Sequence, residues 1–316
     1  MRILLDIFLL LVGFALLVKS AQVFVDASVD IAKRLGIPSL VIGLTVVAMG
    51  TSAPELVISV SAAIGGSGDL AVANVVGSNI FNLLFIIGFC AVLYPIDVKL
   101  CAIKRDYWVS VAATVVLLVL VIVFKDILPR FGSLILLAGF VTYMIVVVRH
   151  TMKNKVQEEE EEGDAKPKSL PVSIFLAILG TAVIVGGGQL TVASAVNIAV
   201  ALGISERVIG LTIVAMGTSL PELVTTLIAC RKKEGEFAIG FIVGSSIFNI
   251  MFVLGMAGLI TPLTVERNVL FDLAVLIAGT LAFFLFARSN SRVVRVEGIS
   301  MVAMYLGYMA VVLFLQ

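Results

Sequence analysis

The sequence predicts an all-α polytopic membrane protein, with ten transmembrane helices forming two inverted five-helix repeats. Three observations carry this reading. First, 60% of the 316 residues are hydrophobic and 14% are charged, against about 45–50% and about 25% in soluble domains. The mean hydropathy of +1.17 means that water cannot solvate most of the chain. Second, the basic residues gather on alternate loops. Third, one segment recurs in the second half at an offset of 167 residues. Soluble enzymes, secreted proteins and nucleic-acid binders are thereby excluded. The net charge of +1 argues against an acidic polymer as partner. Cys90, Cys101 and Cys230 form no CxxC pair, so neither a disulfide framework nor a zinc site is indicated.

Charged residues cut the chain into apolar segments of about the 20 residues a bilayer requires. Spans are expected near 3–34, 38–63, 70–94, 107–124, 130–148, 172–202, 206–230, 237–261, 268–287 and 297–315. Arg2 followed by the apolar run Ile3–Val18 imitates a signal peptide, but no small-residue cleavage site follows, and the run continues with helical spacing into Ala21–Leu35. It reads as a first span. The first and sixth spans are long and must tilt or project beyond the hydrocarbon.

With the N-terminus outside, the inner loops hold 16 of the 22 basic residues, among them Lys33, Arg34, Lys99, Lys104, Arg105, Lys232 and Arg292. This positive-inside bias places both termini outside, and the expected location is the plasma membrane. The segment 150–170 carries Glu158–Glu162, a run of like charges that repels itself and does not pack. It reads as a cytoplasmic linker between an N-terminal half, 1–149, and a C-terminal half, 171–316.

Gly43–Gly88 and Gly210–Gly255 align without a gap, with 24 identities in 46 positions. Such self-similarity is the mark of an internal repeat. Because each half has an odd number of spans, the second enters the membrane in the opposite orientation. Inverted repeats are common in secondary transporters, which bind their cargo near the midplane at the repeat interface.

Each repeat carries Gly-Thr-Ser-x-Pro-Glu about a dozen residues into a span: Gly50–Glu55 and Gly217–Glu222. Proline lacks an amide donor and clashes with the preceding turn, so the helix kinks or breaks. The carbonyls of Gly50 and Gly217 lose their partners, and those of Ala48, Thr51, Ala215 and Thr218 are loosened. Broken backbone at membrane depth persists where it lines a cavity or is buried in protein. Carbonyls, hydroxyls and a carboxylate together form an oxygen cage of the kind that hard cations such as Ca²⁺ and Na⁺ prefer. Ionisable residues at this depth usually mark ion pathways, and Glu55 and Glu222 are related by the repeat. Further on, Gly77-Ser78-Asn79-Ile80-Phe81-Asn82 and Gly244-Ser245-Ser246-Ile247-Phe248-Asn249 place Ser78 with Asn82, and Ser245 with Asn249, on shared helical faces as neutral oxygen donors. The glycines suit close helix packing.

These paired motifs resemble the alpha-repeats of the calcium/cation antiporter superfamily, and in particular the prokaryotic sodium/calcium exchangers. The ten-span pattern covers the whole chain and the two signatures about 92 residues of it. The resemblance implies that Glu55 and Glu222 are central ligands shared by Ca²⁺ and Na⁺, and that Thr51 and Thr218 offer carbonyl oxygens to Ca²⁺. It further implies one outer Na⁺ site at Ser52, Ser78 and the Ala48 carbonyl, and a symmetry mate at Ser219, Ser245 and the Ala215 carbonyl. Asn82 and Asn249 would flank the middle. Spans 2, 3, 7 and 8 would form the core, and spans 1 and 6 would slide across it. Some relatives carry aspartate where this chain has Asn249, an acid linked to potassium use, so the chain looks potassium-independent. Two central acids balance one Ca²⁺ and leave about one charge uncompensated with three Na⁺, so exchange would be electrogenic; each charge moved feels about 2.3 kcal/mol per 100 mV.

The implied activity is Na⁺/Ca²⁺ antiport by alternating access. A proton/calcium antiporter of the same fold and a passive cation channel are the alternatives; hydroxyls at Ser52, Ser78, Ser219 and Ser245 favour Na⁺ over protons. An enzyme is not expected, since no nucleophile–base pair, HExxH or phosphate loop is present. The partners are Ca²⁺, Na⁺ and the lipid bilayer, with no cofactor, no nucleic acid and no obligatory protein partner, because the candidate ligands all lie in one chain. Asp26 and Asp30 read as an interfacial charge cluster, with a cation entry role as the alternative, and Lys19 either snorkels or pairs with Asp26. Asp272 and His150 are expected at interface and loop edge.

Overall fold

The computed structural model describes residues 2–153, 168–202 and 215–315. Within them the chain forms helices α1 (Arg2–Leu35), α2 (Ser39–Thr51), α3 (Ala53–Ile64), α4 (Gly68–Leu93), α5 (Leu100–Val123) and α6 (Arg130–Lys153). The second half forms α7 (Leu170–Ala201), α8 (Ala215–Gly217), α9 (Leu220–Arg231), α10 (Gly235–Ile260), α11 (Asn268–Asn290) and α12 (Arg295–Leu315). Among the described residues, eight helices are long and apolar enough to cross a membrane, and the bent pair α2–α3 brings the number to nine. The expected seventh span begins at 206, and its residues 206–214 lie outside the described residues, as do 154–167 of the linker.

Local signals set the helix ends. Lys33 and Arg34 occupy the last turn of α1, where cations suit the helix dipole. Gly36 then takes φ 63°, the Gly36 amide donates to the Lys33 carbonyl, and the Ile37 amide donates to Ala32. This is a Schellman stop, in which glycine adopts the left-handed conformation that closes the helix.

The repeat seen in the sequence governs the elements. α3 and α9, and α4 and α10, have boundaries offset by the same 167 residues. Both α4 and α10 contain a π-helical stretch, at Phe81–Ile86 and Phe248–Val253, again in register. A third, Gly43–Val47, interrupts α2, which the sequence reads as a continuous helix. π-turns are rare and often sit at functional sites.

Four two-residue strands, absent from the sequence reading, tie the loops together. β1 (Ile96–Asp97) pairs antiparallel with β4 (Arg292–Val293), and β2 (Ile127–Leu128) with β3 (Leu263–Thr264). Every such link joins loops that the basic-residue pattern assigns to one side. On the side expected to be inner these are β1–β4, Lys99–Glu236 at 2.8 Å, and the Lys168 amide donating to Asp30. On the side expected to be outer they are β2–β3, Arg267–Asp126, and Arg130 donating to the Ile260 carbonyl. Asp26 pairs with Lys232 of the second half, a partner absent from the sequence reading; of the two readings of Lys19, snorkelling or pairing with Asp26, the ion pair goes to Lys232 instead.

α10 is the most enclosed helix and α4 the next, while α1, α7 and α12 expose apolar faces. Small residues permit the closest approaches, as packing inside a membrane demands. α1 and α7 run antiparallel: a Cβ on Gly13 would stand 2.9 Å from the Gly187 carbonyl, and one on Gly180 3.0 Å from Phe24. α2 lies on α10 backbone to backbone. A Cβ on Gly43 would meet the Phe237 carbonyl at 2.6 Å, and one on Gly244 the Leu44 carbonyl at 2.4 Å.

Candidate ion-binding site

The site begins at two helix breaks. α2 and α3 meet at Ser52 with a bend of 47°. Pro54 lies in the first turn of α3, so no amide at that position can reach the Gly50 carbonyl. Ser52 and Ser219 take nearly the same backbone angles, φ −81° ψ 11° and φ −92° ψ 9°. Glu55 and Glu222 then fall in the first turns of α3 and α9, where the positive end of the helix dipole favours a carboxylate. The Ala48 carbonyl still accepts from the Ser52 amide at 3.2 Å. The break is therefore narrower than proline alone implies, although a carbonyl retains a second lone pair for a cation.

The candidate side chains are mostly buried, and hydrogen bonds join Ser52 with Ser245 and Glu222, and Ser219 with Glu55. Thr51, Ser52, Glu55, Asn82, Ser219, Glu222, Ser245 and Asn249 are all 0% exposed, and Ser78 is 4% exposed. Ala48 is buried, and Thr218 is half-buried beside Ser219. Ala215 opens α8, and its side chain lies outside the described residues. The contacts cross between repeats: Ser52 Oγ donates to Glu222 Oε1 at 3.4 Å, and Ser219 Oγ donates to Glu55 Oε1 at 3.5 Å.

Ser52 also meets Ser245 at 2.5 Å. Among the described hydrogen bonds it pairs with this serine of the other repeat, and not with Ser78 of its own. Thr51 Oγ1 donates to the Val47 carbonyl at 3.1 Å.

Buried polar atoms normally find a partner. Here Glu55 Oε2, Glu222 Oε2, Asn249 Oδ1 and both amide atoms of Asn82 are buried without one. Leaving these oxygens buried without a partner is costly unless a cation joins them. The donor set is hard oxygen throughout, with no thiol or imidazole, which suits Ca²⁺ or Na⁺ rather than a thiophilic metal.

Sequence reasoning passed over Asn79 and Asn74. Asn79 is fully buried and donates to the Ser246 carbonyl at 3.2 Å. Asn74 donates to Ser59 at 3.0 Å and to the Glu55 carbonyl at 3.4 Å. Asn79 sits off the Ser78–Asn82 face, and its repeat mate is Ser246, so neither spacing nor symmetry singled it out. Buried Asp106, which accepts from Tyr143 at 3.1 Å and pairs with Arg105 at 2.8 Å, was also missed. Asp272 is bonded to Tyr308 at 3.1 Å, tying α11 to α12.

The family model described as "Sodium/calcium exchanger protein" matches residues 5–149 and 172–314. The chain belongs to the sodium/calcium exchanger family. Among relatives of this exchanger, the putative antiporter CaxA of Alkalimonas amylolytica is 39% identical over 94% of this chain and 95% of its own. The sodium/calcium exchanger MaX1 of Methanosarcina acetivorans is 32% identical over 97% and 98%. The solved sodium-calcium exchanger NCX_Mj, soaked with zero Na⁺ and Ca²⁺, superposes with a TM-score of 0.85 at 32% identity, over 98% of this chain and 99% of that one. The exchanger described here is thus an integral, multi-pass antiporter-family protein.

Proposed function

We propose that this exchanger couples Na⁺ movement in one direction to Ca²⁺ movement in the other by alternating access, with Glu55 and Glu222 as ligands common to both ions. The observation that carries the reading is the pair of buried carboxylates at two helix breaks, each reached by a serine of the opposite repeat. Thr51 and Thr218 supply carbonyl oxygens to Ca²⁺. Ser52, Ser78, Ser219, Ser245 and the carbonyls of Ala48 and Ala215 serve the outer Na⁺ sites, with Asn82 and Asn249 between. The Ser52–Ser245 contact favours outer sites shared across the repeats.

The ten-span, inverted arrangement is supported by the antiparallel approach of α1 and α7 and by the same-side pairing of loops. Both termini outside, a cytoplasmic linker, and halves 1–149 and 171–316 complete the proposed topology, in the plasma membrane. α1 and α7 are the sliding pair. A cavity of about 340 Å³ beside α7, lined by Phe81, Phe85, Val192, Gly217 and Leu220 of α4, α7, α8 and α9, suits a sliding α7.

The test loads proteoliposomes with Na⁺ and follows Ca²⁺ uptake after dilution into Na⁺-free buffer. Uptake is expected to require internal Na⁺, to persist without K⁺, and to respond to an imposed membrane potential. Uptake driven by a pH gradient alone would make the protein a proton/calcium antiporter, and uptake indifferent to every gradient would make it a channel. Asn249→Asp adds a third central carboxylate to the cage. It is expected to change the dependence on Na⁺ and K⁺ while leaving membrane insertion intact; unchanged ion dependence would undo the potassium argument.

A further inference from the structure

The cage is not symmetric, although the repeat is. Asn249 donates its amide to Asn79 Oδ1 at 3.1 Å, and Asn79 donates its own amide to the Ser246 carbonyl at 3.2 Å. The two bonds form a relay from α10 to α4 and back, with Asn79 wholly buried. They also decide which way Asn249 faces. A carboxamide is planar, with its donor and acceptor on opposite sides. With Nδ2 held by Asn79, Oδ1 is left buried without a partner, on the helical face that also carries Ser245, itself against Ser52. The repeat mate of Asn79 is Ser246, whose short side chain donates to the Ile242 carbonyl one turn back at 3.0 Å. Among the described hydrogen bonds that hydroxyl reaches no residue of the other repeat, and both amide atoms of Asn82 are buried without a partner.

We propose that Asn79 is a positioning residue for ion binding: it locks Asn249 with its carbonyl oxygen presented to the ion, while Asn82 stays free to turn. This rests on the ion-exchange reading above. The clamp also ties residue 249 to residue 79. An aspartate at 249 would set an oxygen against Asn79 Oδ1, and relief would require Asn79 to turn over and release the Ser246 carbonyl.

The test is a double-mutant cycle on Asn79→Ala, Asn249→Ala and the pair, in full-length protein, measuring KM and maximal rate of Na⁺-driven Ca²⁺ uptake. Calorimetry of Ca²⁺ binding in detergent supplies a second readout. Removing the clamp is expected to raise KM about tenfold, the effect of one buried hydrogen bond, with little change in maximal rate. In the Asn249→Ala background the same change should move KM less than about twofold, because its target is gone. Asn79→Ser, which copies the mate residue, should behave as Asn79→Ala does and guards against a folding failure. Additive effects, or a wild-type KM in Asn79→Ser, would overturn the positioning role while leaving ion exchange standing. A wild-type protein that neither binds nor moves Ca²⁺ would bring down both readings.

Discussion

Replacing Glu55 or Glu222 with alanine is expected to abolish Na⁺-dependent Ca²⁺ uptake. Each carboxylate is 0% exposed, is reached by one serine hydroxyl, and has one oxygen without a partner. A divalent cation in such a cage takes its charge compensation almost wholly from these two groups. Removing one member of a buried charged set costs about 3–5 kcal/mol. At 1.4 kcal/mol per factor of ten, that is a loss of about 100-fold or more in ion affinity. Glu→Gln at either position keeps the volume but removes the charge, so it should fail nearly as badly, which separates electrostatics from packing. The measurement is uptake into proteoliposomes of matched protein content. Full transport by either alanine variant would remove that glutamate from the site.

The second large effect is steric. Gly244→Val is expected to destabilise the whole bundle, because α2 crosses α10 where a Cβ would stand 2.4 Å from the Leu44 carbonyl. The obstacle is backbone, not the end of a flexible side chain, so one helix must move away. Gly43 and Gly240 lie along the same seam, each with a built Cβ inside 2.7 Å of a carbonyl. Overpacking of this kind costs about 3 kcal/mol, which should lower Tm by about 5 °C or more. Because α10 carries Ser245 and Asn249, the loss should extend to Ca²⁺ binding. Gly307→Ala, on the exposed face of α12 with open space around it, is the control and should melt as the wild type does. Equal melting temperatures for Gly244→Val and wild type would show that the seam is not close-packed.

Much of this exchanger could be read along the chain. Composition placed it in a membrane, because a bilayer accepts only helices or closed barrels and the long apolar runs have helical length. The duplicated Gly-Thr-Ser-x-Pro-Glu located both breaks, because proline acts on its own helix wherever that helix sits. The α3/α9 and α4/α10 boundaries repeat at the offset already visible in the two signatures. Those are local or periodic effects, and one dimension suffices to carry them.

What the sequence could not decide is which neighbour each polar atom would meet. Ser52 finds Ser245 and Glu222, and Ser219 finds Glu55, only because the halves interlock. Asp26 turns to Lys232 on α9's far end rather than to Lys19 two turns back on its own helix. The π-stretches at Phe81–Ile86 and Phe248–Val253 have no one-dimensional signature, and the strand pairs β1–β4 and β2–β3 are too short to show a period. Asn79 is the clearest case: its partners, Ser246 and Asn249, lie on another helix. Sequence spacing reports which face of a helix a residue shares, and hydrogen bonds between helices depend on how those faces are packed. Residue types and their periods therefore determined the membrane fold, the breaks and the central acids. The tertiary packing of α2, α4, α9 and α10 decided which oxygens face one another.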